Sequence, residues 1–384
     1  MMEAAKSGPK IAIIGAGPAG LTLASILVRN RFTDITIFEH EPSRSSRSQG
    51  GSLDLHVETG QAALKAADLF AEFGKHCRRD DEDFTIVDSA NTILFSSNGQ
   101  SRGRPEIDRQ LLRNMLLDST PETMIRWRTK VNSVQPGKVT LSNGEELAGF
   151  ELIVGADGAW SSVRPCLTHV KPFYSGISGY ELCIRKNATD YKVAAEMLGH
   201  GSYFALGDGR CFLIQRQGNG DYRMVAAAHK PENWGTQEVL MQGTEEDRFK
   251  HFLHGEYADF APELCQLIDM ADADHRHWPF YMLPVGLRWH HQRGVTMIGD
   301  AAHLMTPFAG EGVNNAMADA LSLANLILQH QKGDLDEAVR SYEEEMFRRI
   351  EPSMARTWSN LQNRFFTAEP AAIMAKRLGG LFKK

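Results

Sequence analysis

Three glycines, Gly15, Gly17 and Gly20, follow the apolar run Ile11 to Ile14 and open a second apolar-periodic stretch. Their spacing is GxGxxG. Between a strand and a helix each glycine has its own task. Gly15 admits a tight turn, Gly17 lets a pyrophosphate approach the backbone, and Gly20 lets helix and strand pack closely. Ala19 lies in the same turn. The helix that starts here points unpaired N–H groups and the positive end of its dipole at the phosphates. A second apolar run, Ile35 to Phe38, ends at Glu39. A carboxylate there accepts hydrogen bonds from ribose hydroxyls and repels a 2′-phosphate. These residues describe a dinucleotide site without choosing between NAD and FAD.

Two later stretches repeat the strand-to-glycine-turn design. Leu152 to Val154 runs into Gly155-Ala156-Asp157-Gly158, with Arg164 seven residues after the carboxylate. Val295 to Ile298 runs into Gly299-Asp300. A loop with Pro307 and Phe308 follows. Gly310-Glu311-Gly312 then opens a helix over Val313 to Gln329, whose N-terminus can hold a developing anion. Pro307 and Phe308 are either a wall that keeps water from a reactive centre or ordinary loop packing.

The stretch after Glu39 carries more candidates. A polar loop, Pro42 to Gln49, holds Arg44 and Arg47 and leads to Gly50-Gly51-Ser52-Leu53-Asp54-Leu55-His56. Asp54 either faces a site from a short strand or caps a turn. A helix is expected over Val57 to Phe73 and another from Asp108, a natural N-cap. Arg109 and Arg113 share a face of that second helix. Arg109 falls in its first turn, where the dipole disfavours a cation, so an anionic or polar partner outside the helix is implied.

The elements that must position these residues form two lobes, as 384 residues exceed one ordinary core. A doubly wound, Rossmann-like α/β lobe is expected from residues 1–172 and 286–333. Inserted in it, residues 173–285 read as an antiparallel-sheet substrate lobe. Arg210 to Arg216 and Tyr222 to His229 alternate as strands do, and a helical stretch runs from Glu245 to Asp269. Residues 334–384 read as a long C-terminal helix with a docked, basic-ended tail. Tyr203, Phe204, Phe212, Tyr222 and Met224 are candidates to line an apolar pocket, with Gln215, Arg216 and Arg223 as its polar groups.

Composition narrows the function. A net charge of −6 argues against a nucleic-acid partner. No apolar run reaches membrane-spanning length, and residues 1–10 lack the apolar core of a signal peptide. Five scattered cysteines with no CxxC suit reduced thiols in an intracellular protein. His290 and His291 lack a suitably spaced carboxylate or cysteine and read as a solvated pair, so no metal is expected. A cytoplasmic monomer without stable membrane association is the expectation. No Ser/His/Asp set or paired carboxylates stand out, which suits an enzyme whose cofactor carries the chemistry. Only one GxGxxG occurs, so a second dinucleotide would visit without its own domain.

The three glycine motifs, in this order, resemble the class A flavoprotein monooxygenases over nearly the whole chain. Gly50 to His56, Pro105 to Arg109 and Met297 to Met305 with Pro307 to Gly310 are most similar to the tetracycline-inactivating flavin monooxygenases. The resemblance implies FAD held mostly by the first lobe, NADPH or NADH as transient reductant, O2, and an aromatic or polycyclic small-molecule substrate that is hydroxylated. It places Glu39 on the adenosine ribose, Arg109 on the ribityl and phosphate region, and Asp300 on the ribityl chain. Asp54 would contact the flavin, as would Asp157 and the Gly310–Gly312 turn. Arg47 would stand near the nicotinamide donor and flavin ring, with Pro307 against the flavin and Phe308 toward the substrate. Departures fall in the substrate lobe, where Arg223 aligns with a histidine that contacts the drug. Asp157-Gly158 also follows the general class A pattern better than the drug-inactivating one. The resemblance thus implies tetracycline or a phenolic or polyketide metabolite as substrate. An NAD-dependent dehydrogenase and a flavin-sequestering protein are the competing readings of the fingerprint.

Overall fold

The computed structural model describes residues 8–46, 50–79, 82–100, 103–235, 244–330 and 334–381. The chain divides into two compact units. The first comprises 1–77, 109–173 and 281–357; the second comprises 78–108, 174–280 and 358–384.

The first unit is built on a five-stranded parallel sheet. Its order is Val295–Met297, Leu152–Gly155, Ile11–Ile14, Ile35–Phe38, Ile125–Arg126. Ile11 to Ile14 sit in the middle and are 0–3% exposed, as a continuous apolar run in a doubly covered parallel sheet should be. The three glycine motifs all lie at carboxyl ends of neighbouring strands in this sheet, the edge where open α/β sheets bind ligands. Helices Pro18–Arg29 and Gly312–Gln329 pack on each other. The helix expected over Val57 to Phe73 is instead two, Gly60–Ala66 and Phe70–His76. Asp68 between them has φ +62°, a left-handed backbone that no helix accommodates.

The second unit carries a seven-stranded sheet. Its order is Arg276–Met282, Phe173–Ile184, Tyr222–His229, Arg210–Arg216, Ser202–Gly207, Phe84–Asp88, Ile93–Ser96. Phe84–Asp88 runs parallel to Ser202–Gly207, so the sheet is mixed rather than purely antiparallel. One face is dry. Tyr180, Leu182, Tyr203, Phe212, Ile214, Tyr222 and Met224 project from it into a core shared with Leu253, Tyr257, Leu264, Leu267 and Ile268 of two helices, Glu245–Glu256 and Pro262–Met270. Side chains one position away point oppositely, and those of Glu181, Phe204, Leu213, Gln215, Arg223 and Val225 are half-buried.

The C-terminal helix spans Leu335–Phe365 without interruption, across Pro352. Helix Pro370–Leu381 then packs against Phe84–Asp88 and Ile93–Ser96. Among the described residues, no helix is long and apolar enough to cross a membrane.

Candidate active site

Each glycine of the first motif is required by a different neighbour. A Cβ on Gly15, whose φ is +107°, would lie 2.4 Å from the carbonyl oxygen of Ala156. One on Gly20 would meet the Gly15 carbonyl oxygen at 2.2 Å and Ile13 at 3.0 Å. One on Gly17 would meet nothing within 4 Å. Gly15 and Gly20 are therefore glycines for packing. Gly17 is an open approach to a helix start that no side chain caps, where backbone N–H groups and the dipole attract an anion.

Glu39 is 5% exposed at the end of its strand. Its Oε2 accepts from Ala16 N at 2.8 Å and its Oε1 from Glu41 N at 2.9 Å. His40 Nδ1 is 2.9 Å from Oε1. A carboxylate offers about four acceptor positions, so the protein fixes Glu39 against the glycine turn and leaves acceptor capacity for a ribose. Arg113, 2% exposed, locks the same corner. It donates to Glu41 Oε2 at 2.9 Å, to the Ala16 carbonyl at 3.2 Å and to the Arg44 carbonyl at 3.1 Å.

The second and third motifs are tied together. Arg164, 4% exposed, donates through Nε to the Ala301 carbonyl at 2.9 Å and through Nη1 to that of Ala159 at 2.8 Å. Its Nη2 donates to the Asp300 carbonyl at 3.1 Å. Burial lowers its pKa, against the charges of Asp157 and Asp300, which raise it. Asp157 Oδ2 accepts from Ser162 N at 2.7 Å and Ser162 Oγ at 2.8 Å, while its Oδ1 is buried without a partner.

Gly299, with φ +62°, is wedged between the two helix starts. A Cβ there would lie 3.2 Å from Ala19 and 3.1 Å from Ala316. The structure thus gathers Ala19, Asp300 and the first turn of Gly312–Gln329, which are some 300 positions apart in the chain. Asp300 remains solvent-accessible, yet the surrounding protein still desolvates it and raises its pKa; His303, Arg109 and Arg164 pull in the other direction. Gly310 has φ +68°, and a Cβ on Gly312 would meet nothing within 4 Å. Glu311 turns away to pair with Arg356 at 2.8 Å through both oxygens and to accept from Ser353 Oγ, so this second helix start also has no side-chain cap.

Asp54 joins the same region. Its Oδ2 is 3.1 Å from His56 Nε2, and its carbonyl accepts from Asn314 Nδ2 at 2.8 Å. Asn314, 1% exposed, also accepts from His56 N at 2.8 Å and Thr59 Oγ1 at 3.0 Å. Arg109 N donates to the Gly51 carbonyl at 3.0 Å. Pro307 is exposed, whereas Phe308 is 5% exposed and packs inside the protein. Arg47 lies outside the described residues.

In the second unit, Gln215 and Arg223 share the half-buried sheet face. Tyr203, Phe212, Tyr222 and Met224 do not; their parity turns them into the helix-covered core, so of the five apolar candidates only Phe204 stays on the open side. His291 corrects another expectation. It is bound, with Nδ1 2.7 Å from Glu343 and Nε2 3.0 Å from Asp336. Sequence reasoning missed Asn314, Asp319 and Glu181, and named Arg113 only as sharing a helix face with Arg109. A polar residue on the buried side of an apolar helix is the signal that Asn314 and Asp319 offered.

Two open helix starts and fixed carboxylates at the carboxyl edge of a parallel sheet define a dinucleotide-binding protein. A family model described as "FAD binding domain" matches residues 9–357, so the chain belongs to that family. Monooxygenase asqM of Emericella nidulans is 34% identical, covering 92% of this chain and 94% of that one; Monooxygenase penA of Penicillium thymicola is 35% identical with the same coverage. By structure, a salicylate hydroxylase substrate complex superposes with a TM-score of 0.76 at 17% identity, over 99% and 96% of the chains. A tetracycline destructase does so at 0.67 and 20% identity, over 97% and 98%. The fold is that of the class A flavin monooxygenases, and the protein is an FAD-dependent monooxygenase.

Proposed function

We propose that the protein hydroxylates an aromatic or polycyclic small molecule, consuming NAD(P)H, O2 and a proton and releasing NAD(P)+ and water. The observation that carries this is the convergence of two uncapped helix starts on Gly299-Asp300. When bound, FAD supplies hydride acceptance and oxygen transfer. The chain's own residues do the rest. The open backbone at Gly17 takes the pyrophosphate, and Glu39 accepts from the adenosine ribose. Asp300 accepts from the ribityl hydroxyls, with Arg109 supplying positive charge beside it. The Gly312 helix start faces the isoalloxazine with N–H groups and stabilises negative charge there. Asp157 keeps one carboxylate oxygen available beyond its own turn. Arg47 meets the nicotinamide donor, and Pro307 limits water access.

A metabolite of phenolic or polyketide type is favoured over tetracycline. The relatives above 30% identity are named only as monooxygenases, and the destructase likeness at 20% identity carries the fold alone. Incubating FAD-loaded enzyme with NADPH in air, with salicylate, simple phenols, bicyclic ketones and tetracycline in turn, tests the reading. Substrate-stimulated NADPH oxidation with a product heavier by one oxygen supports it. Colourless protein that takes up no FAD, or no stimulation by any aromatic, rejects it.

A further inference from the structure

On the open face of the second unit's sheet, two rows of side chains follow from register. Cys183, Arg223, Gln215 and Ser202 form one; Glu181, Val225, Leu213 and Phe204 form the other. Arg364 lies over the Phe204 ring at 5.5 Å, and helix Pro370–Leu381 covers that end of the face. Toward Phe173–Ile184, the half-buried groups are Glu181, Cys183, Arg223, Gln215, Leu213 and Val225.

The charge of Arg223 is already matched by a carboxylate. Arg223 Nη2 donates to Glu181 Oε1. Gln215 Nε2 donates to the Glu106 carboxylate at 3.2 Å, and Arg78 pairs with Asp108 at 2.8 Å. An arginine beside an apolar surface is a common carboxylate receptor, because its fork matches the two oxygens. Glu181 removes that option. An incoming carboxylate must displace it, or lie next to both Glu181 and Glu106. The pair nonetheless keeps capacity. A guanidinium has five N–H donors, and Glu181 engages Arg223 through Nη2. A carboxylate has acceptor positions beyond the one that Arg223 uses. A donor and an acceptor thus stand side by side, with no net charge, among Leu213 and Val225.

We propose that this face selects a neutral aromatic substrate that carries an adjacent hydrogen-bond donor and acceptor of amide type, and rejects aromatic carboxylates, with the Glu181–Arg223 pair setting the choice. The proposal rests on the aromatic monooxygenase reading above. Specificity of this kind is built as much from the repelled ligand as from the accepted one.

Salicylamide and salicylate make a matched pair of probes, alike in size and differing in charge. Each is titrated into FAD-loaded enzyme, and binding is read from the change in flavin absorbance. The wild type binds salicylamide more tightly, by roughly tenfold or more, a factor equal to one charge-assisted contact. Glu181→Gln, nearly isosteric, reverses the order by freeing Arg223 for the carboxylate. Arg223→Gln loses the preference altogether. The flavin-to-protein ratio of each variant shows that it has folded and taken up FAD. Tighter salicylate binding by the wild type, or an unchanged ratio in Glu181→Gln, overturns the assignment. If salicylate is then also hydroxylated, the monooxygenase reading stands without it. If neither probe perturbs the flavin and no aromatic stimulates NADPH use, both fall together.

Discussion

Asp319 Oδ2 lies 2.5 Å from His303 Nε2, and both residues are almost wholly buried, at 0% and 2% exposure. The same oxygen accepts from Gly299 N at 2.7 Å, while Oδ1 takes Arg349 Nη2 at 2.7 Å. A single carboxylate thus anchors the turn that presents Asp300, from below. Burial alone raises an acid's pKa, but the charges and hydrogen bonds of His303 and Arg349 outweigh it, and the Asp319 pKa is lowered. The sign follows: its stability contribution is present above the usual carboxylate range and lost as pH falls through the depressed value. Asp319→Ala leaves His303, Arg349 and the Gly299 N–H without their acceptor and costs about 3–5 kcal/mol. Urea unfolding of the apoprotein measures it. Asp319→Asn, which still accepts from Gly299, loses less; an equal loss in both variants would remove the anchoring role.

Two glycines of one motif separate folding from binding. Gly17→Ala adds a methyl group with no neighbour within 4 Å. It alters a helix N-cap, so its cost to apoprotein stability stays within about 1 kcal/mol. FAD retention through gel filtration should nevertheless fall sharply. Gly20→Ala forces a methyl 2.2 Å from a carbonyl oxygen and should lower both apoprotein Tm and flavin content. Full flavin content in Gly17→Ala would show that the pyrophosphate does not approach there.

These glycines were legible in the sequence because each requirement is local, set by a turn and the strand beside it. Three of the five parallel strands were legible for the same reason, as buried apolar runs ending in glycine, and Ile35–Phe38 as one ending in Glu39; the two-residue edge strand Ile125–Arg126 was not, because it is too short to show a pattern. Face parity in the second unit was not. The alternation in Ser202–Gly207 says that Tyr203 and Phe204 point oppositely, but only helices Glu245–Glu256 and Pro262–Met270 decide which is core. Phe84–Asp88 joins that sheet beside a strand more than a hundred residues later, a pairing that composition does not announce. Asn314 and Asp319 look like polar residues on an apolar helix until Asp54 and Gly299 are brought to them.

Arg47 and Asp300 should fail differently. Arg47 precedes Gly50-Gly51 in the sequence after Glu39, and a cation there suits a nicotinamide donor. Arg47→Ala should slow anaerobic bleaching by NADPH about tenfold, equivalent to one lost charge-assisted contact, with FAD content unchanged. Asp300→Ala should lose FAD on gel filtration, because ribityl hydroxyls lose a carboxylate acceptor. Stopped-flow absorbance and the flavin-to-protein ratio distinguish the two. A normal reduction rate in Arg47→Ala returns it to a solvated loop residue.

His291 makes a separate pH prediction. Burial on its own lowers the imidazole pKa, but hydrogen bonds to Glu343 and Asp336 and their charges reverse this, and the net shift is upward. Glu343 is buried and also accepts from Trp289 Nε1 at 3.0 Å and Thr296 Oγ1 at 2.8 Å. It therefore ties the Leu335–Phe365 helix to the edge strand Val295–Met297. A raised folded-state pKa means the protonated histidine stabilises fully below its unfolded value of about 6.5. That contribution disappears as pH rises through the folded value. The urea midpoint of the wild type should exceed that of His291→Gln most at pH 6, by an amount worth about 1.5–3 kcal/mol for bonds to a charged group, and the gap should narrow by pH 9. A gap that is constant from pH 6 to pH 9 would mean that His291 acts by packing alone.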